Sequence, residues 1–310
     1  LTSAIDYVTN EDLPVVYTLT GHGESQLTST LSDGAAEENV LLSELSLLTQ
    51  ESVPEDADAL IIYAPQSDMS ADEKDMLLIY LQGGGKLLLV TDYTETAMPN
   101  LAEVMAYYGT SLADGIVMEG DSSHHMRGSS YYLLPDIGSH DITSPLADGG
   151  YYVLMPVAQG ISVSDELLEG LTVTQLLTTT SASYAKADAY NLNTYDKEEG
   201  DLEGPFALGV AISEEVEGGT TGIVWLTTSY MFNDDVDMLV SGANTDLFLN
   251  ALDWMCQRES SISIRAKDLS TEYLTVPSSD VSTWSLILVV TLPLAFILAG
   301  AYITVTRRKR

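Results

Sequence analysis

The residues best suited by type to do chemistry begin with His22, Gly23 and Glu24, inside the stretch Thr20-Gly21-His22-Gly23-Glu24, and continue with Asp92. The first three follow an apolar, β-branched run at residues 14–20, and Asp92 closes a second apolar run at 86–91. An imidazole and a carboxylate bracketing a glycine at a strand end could bind a small polar ligand or a metal ion, with Asp92 contributed by a neighbouring strand. The same pattern suits a loop in which His22 and Glu24 hydrogen-bond their surroundings and the glycines serve backbone geometry. A second set, Asp121, His124, His125 and His140, offers three imidazoles and a carboxylate, the donor types that divalent metals take. Adjacent histidines usually point apart and this spacing matches no established metal pattern, so the set reads as a solvated loop and no metal or cofactor is expected. The acidic residues at 188–203 lack the Asp-x-Asp-x-Asp-Gly order of a calcium loop and read as charged surface. Cys256, the one cysteine, sits among apolar neighbours, where a buried inert thiol is expected rather than a nucleophile.

The elements that must position these groups follow from the hydrophobic pattern. Residues 14–20, 59–65 and 86–91 are short continuous apolar runs, as strands covered on both faces require. Between them, residues 25–39 carry a weak helical pattern broken at Gly34, residues 40–48 read as a strand, and residues 54–58 as a turn. Ser70-Ala71-Asp72-Glu73 is a capping box opening a helix to about Gln82, which Gly83-Gly84-Gly85 ends. Such alternation predicts an α/β domain built on a parallel sheet, with any ligand crevice at the carboxyl ends of the strands: residues 21–24, 65–68 and 92–94. Downstream, the pattern predicts a helix over 100–108, a strand over 115–120 and a polar loop over 121–145. Strands follow within 150–161 and at 171–178, then an exposed acidic loop over 181–205 and strands at 206–214 and 221–228. An amphipathic helix at 244–257 buries Leu247, Phe248, Ala251, Leu252 and Met255. The domain so drawn covers 1–260, with a core sheet over 14–120 and additional strands and a helix over 150–257; a connector at 261–283, strand-like as far as 277, follows.

Residues 284–306 contain no charged side chain, and at about 1.5 Å per residue a helix of that length crosses the roughly 30 Å hydrocarbon core of a bilayer. Pro293 is tolerated there, as prolines in membrane helices are. The basic tail at 307–310 follows at once, which predicts a cytoplasmic carboxyl terminus and an extracytoplasmic domain. Of the chain's 12 basic residues four lie in that tail, whereas all 46 acidic ones precede it. The formal net charge of −34 argues against a nucleic-acid partner, because phosphate binding needs clustered Lys and Arg. The chain begins at Leu1 with neither a start Met nor a signal peptide, so a further segment, including a membrane span, is expected upstream.

Taken together, residues 20–24, 83–92, 118–135, 244–254 and 261–269 resemble the GldG family, extracytoplasmic auxiliary components of ABC transport systems. The resemblance lies in the order and spacing of these stretches and extends over the whole chain. It implies an α/β domain similar to the class I glutamine amidotransferase-like fold, followed by the single membrane helix and set in the bacterial cell membrane. The implied partners are a permease, a separate cytoplasmic ATPase and the lipid bilayer; the chain itself has no GxxxxGK[ST] stretch for ATP. Amidotransferase-like relatives carry a cysteine nucleophile at a strand-end turn. The corresponding turn here, Thr91-Asp92-Tyr93-Thr94, has neither cysteine nor serine, so no enzyme activity and no catalytic residue is expected. The function implied is that of a non-enzymatic component contacting the permease or the substrate. A solute- or glycan-binding module and an unconventional hydrolase on the same scaffold are the alternatives.

Overall fold

Strands that are apolar at every position supply side chains to both faces of a sheet, and the computed structural model of the chain bears this out in the residues it describes, 13–187, 189–256 and 278–308. The amino-terminal half alternates as β1 (Val15–Leu19), α1 (Ser29–Glu37), β2 (Leu41–Leu45), β3 (Ala59–Tyr63), α2 (Ala71–Gln82) and β4 (Lys86–Val90). Then come α3 (Pro99–Tyr107), β5 (Thr110–Leu112), β6 (Ile116–Met118), β7 (His125–Met126), β8 (Ser129–Leu133), β9 (Asp136–Ile137) and α4 (Ser144–Gly149). The order continues through β10 (Met155–Pro156), β11 (Ile161–Val163), β12 (Leu171–Thr178), β13 (Tyr184–Lys186) and β14 (Leu202–Glu203) to the hairpin β15 (Ala207–Val216) and β16 (Gly219–Leu226). Two helices, α5 (Asp234–Leu239) and α6 (Ala243–Met255), complete the domain.

The main sheet runs β2-β1-β3-β4-β16-β15-β11-β5. From β2 to β16 every neighbouring pair is parallel, with Leu60 opposite Leu87 and Leu87 opposite Ile223. Beyond β16 the pairing turns antiparallel through the β15–β16 hairpin, and β12 lies against β15 along its length. Period-two alternation then sorts the side chains. Ile61, Tyr63, Leu88, Val90, Val224 and Leu226 pack with α1 and α6 on one face. Leu60, Ile62, Leu87, Leu89, Ile223 and Trp225 pack with α2 and α3 on the other. Each such fully buried aliphatic side chain contributes about 1.5–3 kcal/mol relative to exposure. Leu247, Phe248, Ala251, Leu252 and Met255 of α6 are buried as the amphipathic pattern predicts.

Several expectations need correction. Helix α1 is not broken at Gly34 but runs through it; a Cβ there would lie 3.2 Å from Leu249 Cδ1, so the missing side chain lets α1 approach α6. The stretch 121–145 is not a plain loop. It folds as β7, β8, β9 and α4, with β7 and β8 joining β10 in a three-stranded sheet. The loop at 181–205 likewise contains β13, which pairs with β6, and β14, which pairs with β13. Cys256 is half-buried rather than buried. Residues 261–277 lie outside the described residues, and helix, not connector, begins at Ser278.

That helical stretch passes the apolar segment as α7 (Ser278–Ser285), a π-helical stretch at Leu286–Thr291, and α8 (Leu292–Arg308). Pro293 has no N–H for the carbonyl four residues back, and the wider π register just before it absorbs the mismatch, helped by Thr291 Oγ1 donating to Leu286 O at 3.2 Å. Among the described residues, Asp280–Arg308 is the one helix long and apolar enough to cross a membrane: 29 residues, with mean hydropathy 2.5 in its most apolar window and none of that window buried against the domain.

Candidate functional site

The site is built where β1 ends. Gly21 and Gly23 hold φ of 132° and 74°, conformations that side chains resist, and a Cβ on Gly23 would stand 3.1 Å from Gln66 Cβ. The resulting turn is fastened to the loop after β3: the His22 carbonyl accepts from Gln66 N at 3.0 Å and from Ser67 N and Oγ at 3.0 and 3.1 Å. It also folds back on itself, because Glu24 Oε2 accepts from His22 N at 2.7 Å.

The His22 imidazole is thereby placed between two carboxylates. Its Nδ1 is 3.3 Å from Glu24 Oε1 and its Nε2 is 3.1 Å from Glu73 Oε2. Their side chains are 5% and 2% exposed and that of His22 15%, so the ring is the solvent-side member of a nearly buried triad. Glu73 is the capping-box residue predicted for α2: its Oε2 accepts from Ser70 N at 2.9 Å and Ser70 Oγ at 2.7 Å, while Ser70 Oγ accepts from Glu73 N. Glu73 Oε1 is buried without a hydrogen-bond partner. The triad borders a cavity of about 20 Å³ lined by Leu19, Ile62 and Met69 among others, room for about one water molecule.

Asp92 does not join this triad. Both of its oxygens hold Ser229 after β16, accepting from Ser229 N and Oγ at 2.6 Å each. It lies beside Tyr63, whose hydroxyl is pushed well above the usual phenol range by burial and then by the Asp92 charge. Tyr63 packs on the α1–α6 face of the sheet, whereas Ile62 and the cavity lie on the other face. The sheet itself separates the two. In the same strand-end turn, Thr91 Oγ1 accepts from Trp225 Nε1 at 3.0 Å and Thr94 Oγ1 accepts from Thr96 N.

The second histidine set is dispersed. His124 lies between Asp121 Oδ2 at 3.5 Å and Asp136 Oδ1 at 3.2 Å, and His125 Nδ1 donates to Met126 O. His140 accepts from Ile142 N at 3.2 Å and packs edge-on to Trp254; burial lowers its pKa. Among the described residues no three His, Cys, Asp or Glu side chains are grouped to hold a metal ion.

Among the buried charges that the sequence reading does not single out are Glu119, Lys186 and Asp237. Glu119, 2% exposed, accepts from Asp121 N, Thr180 N and Thr180 Oγ1, tying the end of β6 to the loop after β12. Lys186, 3% exposed, reaches Glu198 and Asp201 at 3.0 Å each, so the supposed acidic loop is organised around a cation. A lone lysine between alanines in an acidic stretch was the available signal.

No family model matches the sequence, and no curated protein matches it. Among solved structures, the mmIFT52 N-terminal domain is similar at a TM-score of 0.56 and 17% identity, over 79% of this chain and 99% of that one. A GMP synthase protein from Thermoplasma acidophilum gives 0.40 and 12%, over 83% and 100% of the two chains. PurLQS from Thermotoga maritima gives 0.37 and 10%, over 78% and 99%. At these identities the first similarity speaks to fold alone: the chain resembles the IFT52 domain in its α/β architecture.

Proposed function

We propose that this chain is a non-enzymatic, membrane-anchored auxiliary component of a bacterial ABC transport system, of the GldG kind, whose domain works outside the cell membrane. Its fold is taken as class I glutamine amidotransferase-like with the catalytic turn put to another use. The observation that carries the reading is the residue at that turn. Asp92 stands where such a scaffold would hold its nucleophile, and both its oxygens are engaged by Ser229. An α/β domain without a nucleophile there, followed by an unburied apolar helix with Arg307 and Arg308 at its end, suits docking and anchoring rather than turnover. A permease and a separate ATPase are the partners, and the bilayer takes 284–306. Protease treatment of intact cells and of inverted vesicles tests the placement. The domain should be degraded in intact cells and protected in inverted vesicles; the reverse pattern would place it in the cytoplasm and sink the reading.

A second reading, an extracytoplasmic solute-binding module, is favoured by the unpartnered Glu73 Oε1 beside the cavity. A cavity of about 20 Å³ admits no sugar without rearrangement. Calorimetric titration with small polar solutes, in wild type and in Glu73→Gln, tests it; heat that is unchanged by the substitution would count against it.

A further inference from the structure

Next to Asp92 the chain builds an exposed aromatic rim. Tyr93 ends the turn after β4, and Tyr230 begins the segment after Ser229, so both stand at the carboxyl ends of adjacent strands. Tyr190 reaches Tyr93 from the segment between β13 and β14: its ring lies 5.2 Å from that of Tyr93 and its hydroxyl donates to Tyr93 O at 3.2 Å. Tyr93 in turn donates to Ala187 O at 3.0 Å. Tyr190 is 59% and Tyr230 47% exposed, yet Tyr190 is held on both its ring and its hydroxyl. A large aromatic that is fixed in place and still open to solvent loses little freedom on binding, which is what anchor residues of interfaces do.

The electrostatics of the rim select the partner's charge. Asp92 and Glu95 flank Tyr93 in the chain, one residue before and two after it, and the pKa of the Tyr190 hydroxyl is raised first by local desolvation and then by Glu95, with Tyr230, Tyr93 and Asp92 adding to it. Glu95 is exposed. Negative π faces beside carboxylates favour cations, and a planar guanidinium stacks on such faces better than an ammonium does. The formal net charge of −34 complements a basic partner as well.

We propose that the tyrosine rim at the ends of β4 and β16, with Asp92 and Glu95 beside it, is a docking surface for an arginine-bearing segment of another protein. The inference goes beyond the transport reading and stands without it.

The test uses the full chain in nanodiscs of zwitterionic lipid, so that the bilayer holds no basic peptide. Hexa-arginine and hexa-lysine, equal in charge, are titrated at about 0.15 M salt, where remote charges are screened. Arginine should bind about threefold or more tighter, each exposed cation–π contact being worth roughly two- to fivefold. That preference should vanish in Tyr190→Leu or in Tyr230→Leu, whichever retains wild-type melting. It should persist in the double variant Asp165→Asn, Glu169→Gln, which removes exposed charge from the β11–β12 connection. Equal binding of the two peptides would overturn the proposal. So would a preference that survives both leucine variants, or one that falls equally in the remote double variant.

Discussion

His22 Nε2 lies 3.1 Å from Glu73 Oε2, joining the turn after β1 to the first turn of α2 across 51 residues of sequence. One carboxylate thereby caps a helix and positions the imidazole. Glu73→Ala removes both functions and should lower unfolding stability by about 1–3 kcal/mol, as lost caps and buried hydrogen bonds do. Glu73→Gln keeps a capping-box side chain and should lose less. Equilibrium urea unfolding of the detergent-solubilised chain, followed by tryptophan fluorescence, reads the difference; equal losses would show that the cap retained by glutamine contributes nothing and that the carboxylate's contact with His22 carries the effect.

Asp92 and Ser229 make a comparable prediction on the other face. Asp92→Ala leaves the Ser229 N–H and hydroxyl without their acceptors, at a cost of about 1–3 kcal/mol in the same assay. A loss below about 0.5 kcal/mol would show that the pair does not hold the ends of β4 and β16 together.

His140 predicts a pH dependence. Burial lowers its pKa from the ordinary 6.5, so the unfolded chain takes up the proton first as pH falls. Its contribution to stability is complete above about pH 6.5 and is lost as pH falls through the lowered folded value. His140→Asn offers an oxygen to Ile142 N and has no proton to gain. Unfolding free energies at pH 7.5 and 5.0 should therefore differ less in that variant than in wild type; an unchanged difference would assign the pH dependence elsewhere.

Lys186 predicts a local effect. Lys186→Met keeps an apolar stem but leaves Glu198 and Asp201 without their cation, and Asp201 loses the partner that, with the Glu198 N–H, outweighs desolvation and holds its carboxyl below the usual range. Limited proteolysis should cut residues 189–203 several-fold faster than in wild type, with the other cleavage sites unchanged. Uniform acceleration along the chain would point to global destabilisation instead.

What was legible in the sequence follows from where the physics is local. The continuous apolar runs of β3 and β4, the Ser70–Glu73 capping box and the buried face of α6 depend on neighbours a few residues apart, and each appears as read, whereas β1 forms as a strand but buries only Val16 and Leu19. Gly34 misled because a glycine inside a helix weakens it locally, and only the distant Leu249 reveals its use. Within the candidate site, His22 and Glu24 could be paired by eye, but Glu73 already had a local role as a cap that concealed its second one. Asp92 was grouped with His22 because both follow strands; which face each side chain takes was decided by contacts with Tyr63 and Ser229 that no spacing rule contains. The short strands β7, β9, β10 and β14 carry only two residues each, too few for any period to register.

The role in a transport complex is tested most directly by purification from native membranes in mild detergent, through a tag placed after Arg310, with the co-purifying chains identified by mass spectrometry. The expected result is a polytopic permease together with an ATPase, recovered at stoichiometric levels. Recovery of the chain alone across several detergents, with in-cell cross-linking equally empty of both, would contradict it.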